Sequence, residues 1–326
     1  MPDVPDVPDV PDVTAARLVE PGEPLRVERV TLGNLDGDGD GVLVRMLYAG
    51  ISPADRRVAL GAGDSRSPVP RTVGMTGVGL VGDRLVCVHG HGVGTRRDGT
   101  WSSWAILPSG SLIDVPAGAA PLTVAAMGFA GVAAWRAVID LGRVTAADRV
   151  LVLGASGGVG SLAVSLARSL GATVWGQSEM ESKMQGICAQ GAHRVVVARP
   201  EGLAEAVGAL RPTVVVDPLG GDFTGAALAA MAPHGRLVLL GTSADPSGGV
   251  PLRTLYRQGL TIFGYGGFLE DDDVLAAAFV SAMAAVADGR LRPRVDSVVP
   301  LARVNEGLER LASRLAEGRV VLDLSS

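Results

Sequence analysis

Val150-Leu-Val-Leu-Gly-Ala-Ser-Gly-Gly-Val-Gly-Ser-Leu-Ala-Val-Ser-Leu-Ala-Arg-Ser-Leu-Gly-Ala172 reads as a buried strand, a glycine-rich turn and a helix. Val159, Leu162, Ala163, Leu166 and Leu170 recur at helical spacing after an uninterrupted apolar run. The turn between them carries Ala155, Gly157 and Gly160 at the spacing used to bind dinucleotides. That task needs one position for a tight turn, one where backbone approaches a pyrophosphate, and one where helix packs on strand. Gly157 and Gly160 meet the last two demands, and Ala155 stands where the first is usually met by glycine. A pyrophosphate is therefore expected to approach the backbone at Gly157, facing the helix N-terminus.

Working outward, short apolar strands alternate with helical stretches at Val150–Leu153, Thr173–Trp175, Val195–Val197, Val214–Asp217, Leu237–Leu240 and Leu260–Phe263. Six such strands predict an α/β fold with a doubly wound parallel sheet covered on both faces. Upstream the texture differs, with β-branched runs at Leu25–Thr31, Val42–Tyr48, Leu85–His89 and Trp104–Leu107 broken by glycine and proline. These predict an antiparallel, partly open β domain. The strands Val295–Val299 and Val320–Leu324 resemble that first domain, so its two parts are expected to pack as one discontinuous unit. The expected organisation is a Pro-Asp-Val repeat tail over 1–13, a β domain from 14–120 and 265–326, and a dinucleotide domain over 121–264. The repeat has no apolar face and is read as an extended, disordered tail.

Composition narrows the function. The chain has 326 residues, 47% hydrophobic and 19% charged, with a net charge of −5, and its mean hydropathy is +0.32. Folding is expected, whereas a nucleic-acid partner or attraction to anionic lipid is not. Two cysteines, Cys87 and Cys188, fit a reducing, cytoplasmic compartment and are too few for a disulfide framework. The uncharged stretch 115–135 is long enough to span a bilayer, but Pro116, Pro121 and three glycines make it a loop followed by a buried helix.

The second strand selects the dinucleotide. An acidic residue there accepts from the ribose 2′-hydroxyl of NAD, but this strand ends Gln177-Ser178. Lys183, the sole lysine, follows five residues on, and Arg199 follows the third strand. Two cations there, with Ser178, suit a 2′-phosphate and favour NADPH.

Several motifs in order carry a resemblance. They are Gly50-Ile-Ser-Pro-Ala-Asp55, Gly74-Met-Thr-Gly-Val-Gly79 with Gly82-Asp-Arg84, Gly99-Thr-Trp-Ser-Ser-Trp104, Ala155–Gly160, Val216-Asp-Pro-Leu-Gly-Gly221, Gly235-Arg-Leu-Val238 and Gly318-Arg-Val-Val-Leu322. With them the chain resembles the zinc-independent quinone oxidoreductase and enoyl reductase branch of the medium-chain dehydrogenase/reductase superfamily. The resemblance implies a GroES-like domain split around a Rossmann domain, a homodimer or tetramer, no metal, and NADPH-dependent reduction of a quinone, enone or enoyl thioester. It also places the pyrophosphate at Ser156, Gly157, Gly158 and Val159, the 2′-phosphate at Lys183, and the nicotinamide near Gly241, Thr242, Phe263 and Tyr265. Ser52 stands where relatives carry Asn, Arg57 where some carry Tyr, Ala133 in place of Thr, and Met180 in place of Ser or Thr. Ser52, Arg57 and Tyr265 are the catalytic candidates, and a small molecule such as a polyketide enone is the expected substrate.

Three other readings stand beside this one. The chain binds NADPH without redox turnover, as a sensor or non-redox catalyst. Gly154-Ala-Ser-Gly-Gly158 also fits a hydrolase elbow, with Ser156, Asp217 and His234 in triad order. Asp83, Cys87, His89 and His91 share strand parity and would make a zinc-like set if the strand were continuous.

Overall fold

The computed structural model describes residues 13–32, 40–61 and 68–325. The Pro-Asp-Val repeat, apart from Val13, lies outside them.

The chain divides into two compact units. The first comprises residues up to Val115, with Ser297–Arg314 and Val320 onward. It contains β1 (Val13–Leu18), β2 (Arg26–Val30), β3 (Gly41–Ile51), α1 (Pro53–Ala59), β4 (Arg71–Thr72), β5 (Gly77–Val81), β6 (Arg84–Val88), β7 (Trp104–Pro108) and β8 (Leu112–Asp114). One sheet runs β2-β1-β4, and β7 pairs with β3, which together with β5, β6 and β8 belongs to a larger sheet. In β3 the buried Val44 and Met46 alternate with exposed Arg45, the period-2 pattern of a strand with one face on the core. Four of these strands match the runs expected from sequence.

The second unit contains α2 (Pro121–Trp135), β9 (Arg149–Val152), α3 (Gly158–Ser169), β10 (Thr173–Ser178), α4 (Met184–Ala189), β11 (Arg194–Val197), α5 (Pro200–Ala206), β12 (Val214–Asp217), α6 (Asp222–Ala230), β13 (Arg236–Leu239), α7 (Leu252–Arg257), β14 (Thr261–Gly264) and α8 (Asp272–Ala287). The chain closes with β15 (Val295–Pro300), α9 (Val304–Ala312) and β16 (Arg319–Asp323); β16 pairs with β3, and the larger sheet runs β15-β16-β3-β5-β6-β8. The six parallel strands lie in the order β11-β10-β9-β12-β13-β14, a doubly wound sheet whose switch point falls between β9 and β12. Burial on both faces explains why these strands are continuously apolar: Leu151, Leu153, Val215 and Leu237 join Leu203, Phe223 and Leu228 in one core.

The second unit continues past the boundary expected at Gly264, as far as Asp296, and takes in Leu315–Arg319. The reason is packing: α8 buries Phe279, whose ring meets Phe129 of α2 edge-on at 5.5 Å. Pro121–Leu141 is the one helical segment among the described residues long and apolar enough to cross a membrane. Val124, Ala126, Met127, Val132, Ala134, Ala137 and Val138 in it are fully buried, so it is a core segment.

A polar knot closes the N-terminal edge of the parallel sheet. Asp148 accepts from Arg236 Nη2 (2.8 Å), Thr213 Oγ1 (2.7 Å), and Thr145 N (2.9 Å) and Oγ1 (3.0 Å). Burial works to raise this carboxyl, but the bonds from Thr213 and Thr145 and the Arg236 charge outweigh it and hold Asp148 below its ordinary 3.8. A depressed carboxylate stabilises the fold above its unfolded pKa and loses that contribution as pH falls through its folded one. Asp148→Asn is expected to cost about 2 kcal/mol at pH 7. In urea titrations the gap from the wild type should close below about pH 4.

Candidate cofactor site

The site is built at the carboxyl ends of the parallel strands. After β9 the chain turns at Gly154, whose φ is +55°. The tight turn thus falls one residue before Ala155, and glycine meets that demand after all. Ala155 is fully buried, and its amide donates to Gln177 O at 2.9 Å. A Cβ on Gly160 would lie 2.3 Å from Gly154 O and 2.8 Å from Ala155 Cα, so only glycine lets α3 pack this close. A Cβ on Gly157 would meet only Gly154 O, at 3.3 Å, which leaves the opposite side of the turn open. Ser156, Gly157, Gly158 and Val159 are half-exposed there, where the first N–H groups of α3 lack intrahelical partners. An open backbone cradle at a helix N-terminus suits a pyrophosphate.

At the end of β10, Gln177 is fully buried and clamps three strand ends together. Its Oε1 accepts from Gly154 N at 2.9 Å and its Nε2 donates to Ala198 O at 2.8 Å. The residue in place of the usual carboxylate is therefore spent on the fold. Ser178 Oγ accepts from Met180 N at 3.1 Å, shaping the turn that leads to Lys183. Lys183 is 8% exposed, and its ammonium donates to Ala316 O at 3.4 Å. Arg199 is exposed two residues beyond β11, the strand paired with β10. Residues 178, 183 and 199 thus share the β10–β11 side of the sheet.

On the other side of the switch point, Asp217 is fully buried and accepts from Leu219 N, Gly220 N and Thr224 Oγ1. Burial pushes its carboxyl up against these bonds. They fix the turn after β12, against which Gly241 packs: a Cβ there would lie 2.7 Å from Pro218 O. Thr242 follows, and Phe263 of β14 pairs in register with Val238. Tyr265 comes next, its amide donating to Leu239 O at 2.9 Å. Arg136 sits 5.9 Å from its ring centroid and bridges Glu270 (3.1 Å) and Asp140 (2.9 Å). Burial, with Glu270 adding, pushes the phenol up to about 12, so it stays protonated at neutral pH.

Sequence reading missed a second contributor. Arg319, 4% exposed, passes over Gly158: a Cβ on that glycine would lie 2.9 Å from Arg319 Cδ and 3.3 Å from its Nη1. Gly318 N donates to Ser156 O at 3.3 Å. A guanidinium therefore lies at the start of α3, where it adds to the field of the helix dipole. The only sequence signal was an arginine beside Gly318 in an otherwise apolar strand.

The other candidates lie in the first unit. Ser52 caps α1: its hydroxyl donates to Asp55 Oδ2 at 2.5 Å and accepts from Asp55 N at 3.1 Å. Its proton is thus committed to a capping box, completed by Asp55 accepting from Ser52 N and Met75 N. Arg57 is exposed in the last turn of α1.

Two rival constellations come apart. Ser156 follows the carboxyl end of β9, whereas His234 precedes β13 at the opposite edge of the same sheet, its amide on Gln258 O. A four-residue strand of about 13 Å separates those edges, so Ser156, Asp217 and His234 form no triad. Cys87 is buried, which pushes its thiol up to about 12, and His91 follows the end of β6 with φ +52°. Among the described residues no group of three or more His, Cys, Asp or Glu side chains could hold a metal.

A doubly wound sheet with an open glycine turn at its switch point has the geometry of a dinucleotide site. The zinc-binding dehydrogenase family matches residues 158–281. The chain is 25% identical over 313 residues to the synaptic vesicle membrane protein VAT-1 homolog of Homo sapiens, covering 86% of this chain and 78% of that one. It is 28% identical over 296 residues to the quinone oxidoreductase of Lama guanicoe, covering 86% of this chain and 88% of that one. A stretch of 235 residues, 68% of this chain, is 29% identical to a tenth of a phenolphthiocerol/phthiocerol polyketide synthase polypeptide of Mycobacterium tuberculosis. The solved quinone oxidoreductase of Thermus thermophilus, described also in complex with NADPH, superposes with a TM-score of 0.81 at 27% identity, covering 95% and 100%. In sequence and in fold the chain is thus similar to quinone oxidoreductases of the medium-chain dehydrogenase/reductase superfamily. The antiparallel unit is accordingly its GroES-like domain and the parallel unit its Rossmann domain.

Proposed function

We propose that the chain is an NADPH-dependent reductase that acts on an activated double bond, in an enone, enoyl thioester or polyketide-type substrate, or on a quinone. The observation that carries this reading is the buried Lys183, five residues past a strand end that holds a glutamine instead of a carboxylate. NADPH would be held at Ser156–Val159 with Arg319, at Lys183, Ser178 and Arg199, and along Gly241, Thr242 and Phe263. When bound, its reduced nicotinamide supplies the hydride. The chain's own part is to orient the reactants and to place a donor where the substrate oxygen gains charge. Tyr265 is assigned that role because it stands one residue past β14, on the carboxyl side of the sheet, and its phenol is protonated at neutral pH. The proposal includes a homodimer, supported by Val250, Leu252 and Tyr256, large apolar side chains exposed on and beside α7, which leads into the edge strand β14.

A second reading, NADPH binding without turnover, is favoured by Ser52, whose hydroxyl proton is spent on a helix cap. Following NADPH absorbance with a panel of quinones and enones separates the two. Consumption is expected, and binding without consumption would select the second reading. Tyr265→Phe should lower kcat by about tenfold, since water replaces part of the lost donor, and leave the NADPH Kd unchanged.

A further inference from the structure

Residues 315–319 lie more than 130 positions from Lys183 in sequence, yet they form a strap across the proposed 2′-phosphate side of the cofactor site. Ala316 supplies the carbonyl that accepts from the Lys183 ammonium. The next residue, Glu317, pairs with Arg294 at 2.8 Å, and its amide donates to Asp296 Oδ1 at 2.9 Å. Arg319 N then donates to Arg294 O at 2.8 Å, so side chain and backbone of Arg294 both hold the strap.

Two glycines make this approach possible. A Cβ on Gly318, whose φ is +104°, would lie 2.3 Å from Arg294 O. A Cβ on Gly186 would lie 2.0 Å from Arg294 Nη1 and 2.5 Å from Glu317 Oε2. The ion pair therefore rests directly on the backbone of α4, within one turn of Lys183. Glycine is disfavoured inside a helix, and here it opens the space that the pair occupies.

We propose that Arg294 and Glu317 are positioning residues for NADPH selection: their ion pair pins the strap, and the strap's Ala316 carbonyl holds the Lys183 ammonium in place. This rests on the reading that Lys183 meets the 2′-phosphate. Lysine ends in a compact charge on a flexible stem, so its contribution to binding depends on what orients it. The pair itself is partly exposed, with side chains 39% and 27% accessible, and does little for stability.

The test compares Kd for NADPH and NADH by calorimetry in four proteins. They are the wild type, Lys183→Ala, Gly186→Ala, and the charge-neutral double variant Arg294→Met/Glu317→Leu. Gly186→Ala displaces the guanidinium without changing charge, while improving helix propensity. Lys183→Ala should erase the preference for NADPH, and the other two should reduce it about fivefold with the NADH Kd unchanged. If Lys183→Ala leaves the preference intact, the 2′-phosphate reading falls, and this inference with it. If Lys183→Ala erases it but the other two keep it, or weaken both nucleotides equally, the reading stands and the positioning role is overturned.

Discussion

Gly157→Val is expected to weaken NADPH binding by more than about a thousandfold, a loss of roughly 4 kcal/mol, while the protein stays folded. The two effects separate because of where the side chain would point. The only neighbour of a Cβ at this position is Gly154 O, at 3.3 Å, and the backbone, with φ −76° and ψ 173°, is extended and open to any residue. The fold therefore loses only the advantage of glycine over an aliphatic residue at an N-cap, about 1 kcal/mol, or a few degrees in Tm. The added methyl groups would instead fill the space beside the turn through which a pyrophosphate must approach the backbone. Gly160→Val is the contrasting control. Its Cβ would overlap two backbone atoms that cannot move aside, at 2.3 and 2.8 Å, so the expected result is a loss of about 3 kcal/mol or more in stability. Calorimetric binding with a parallel thermal melt checks both, and normal NADPH affinity in Gly157→Val would remove the cradle from the cofactor site.

Lys183→Ala should raise the NADPH Kd by about 30- to 100-fold and leave the NADH Kd within about twofold. A charge-assisted bond to a phosphate contributes about 2–3 kcal/mol when partly desolvated, and the 2′-phosphate is the one group that NADH lacks. Lys183 is nearly buried, so salt screens this contact less than it screens the contribution of exposed Arg199. Raising ionic strength should therefore erode the affinity that Arg199 supplies before that of Lys183. Equal losses for both nucleotides would move Lys183 from a selecting role to a structural one.

The sheet was readable because its central strands β9 and β12 are buried on both faces, so Val150–Leu153 and Val214–Asp217 appear as apolar runs without help from context, and the edge run Val195–Val197 is apolar as well. Gly157 and Gly160 were readable for the same local reason, since strand, turn and helix adjoin in sequence. The role of Gln177 was not. Its amide spans from Gly154 to Ala198, a clamp that exists only once three strands lie side by side. Ser52 was read by its place in a motif, but the carboxylate three residues on had already claimed its hydroxyl.

The sequence by itself determined the doubly wound class, the place of the phosphate turn and the presence of a lone lysine near it, because periodicity and glycine spacing are local properties of the chain. The tertiary structure alone decided that Arg319 lies over Gly158, that residues 315–319 reach Lys183, and that His234 stands at the wrong edge of the sheet for Ser156. Those facts depend on contacts between residues roughly 80 to 160 positions apart, which closing the sheet creates and no local pattern encodes.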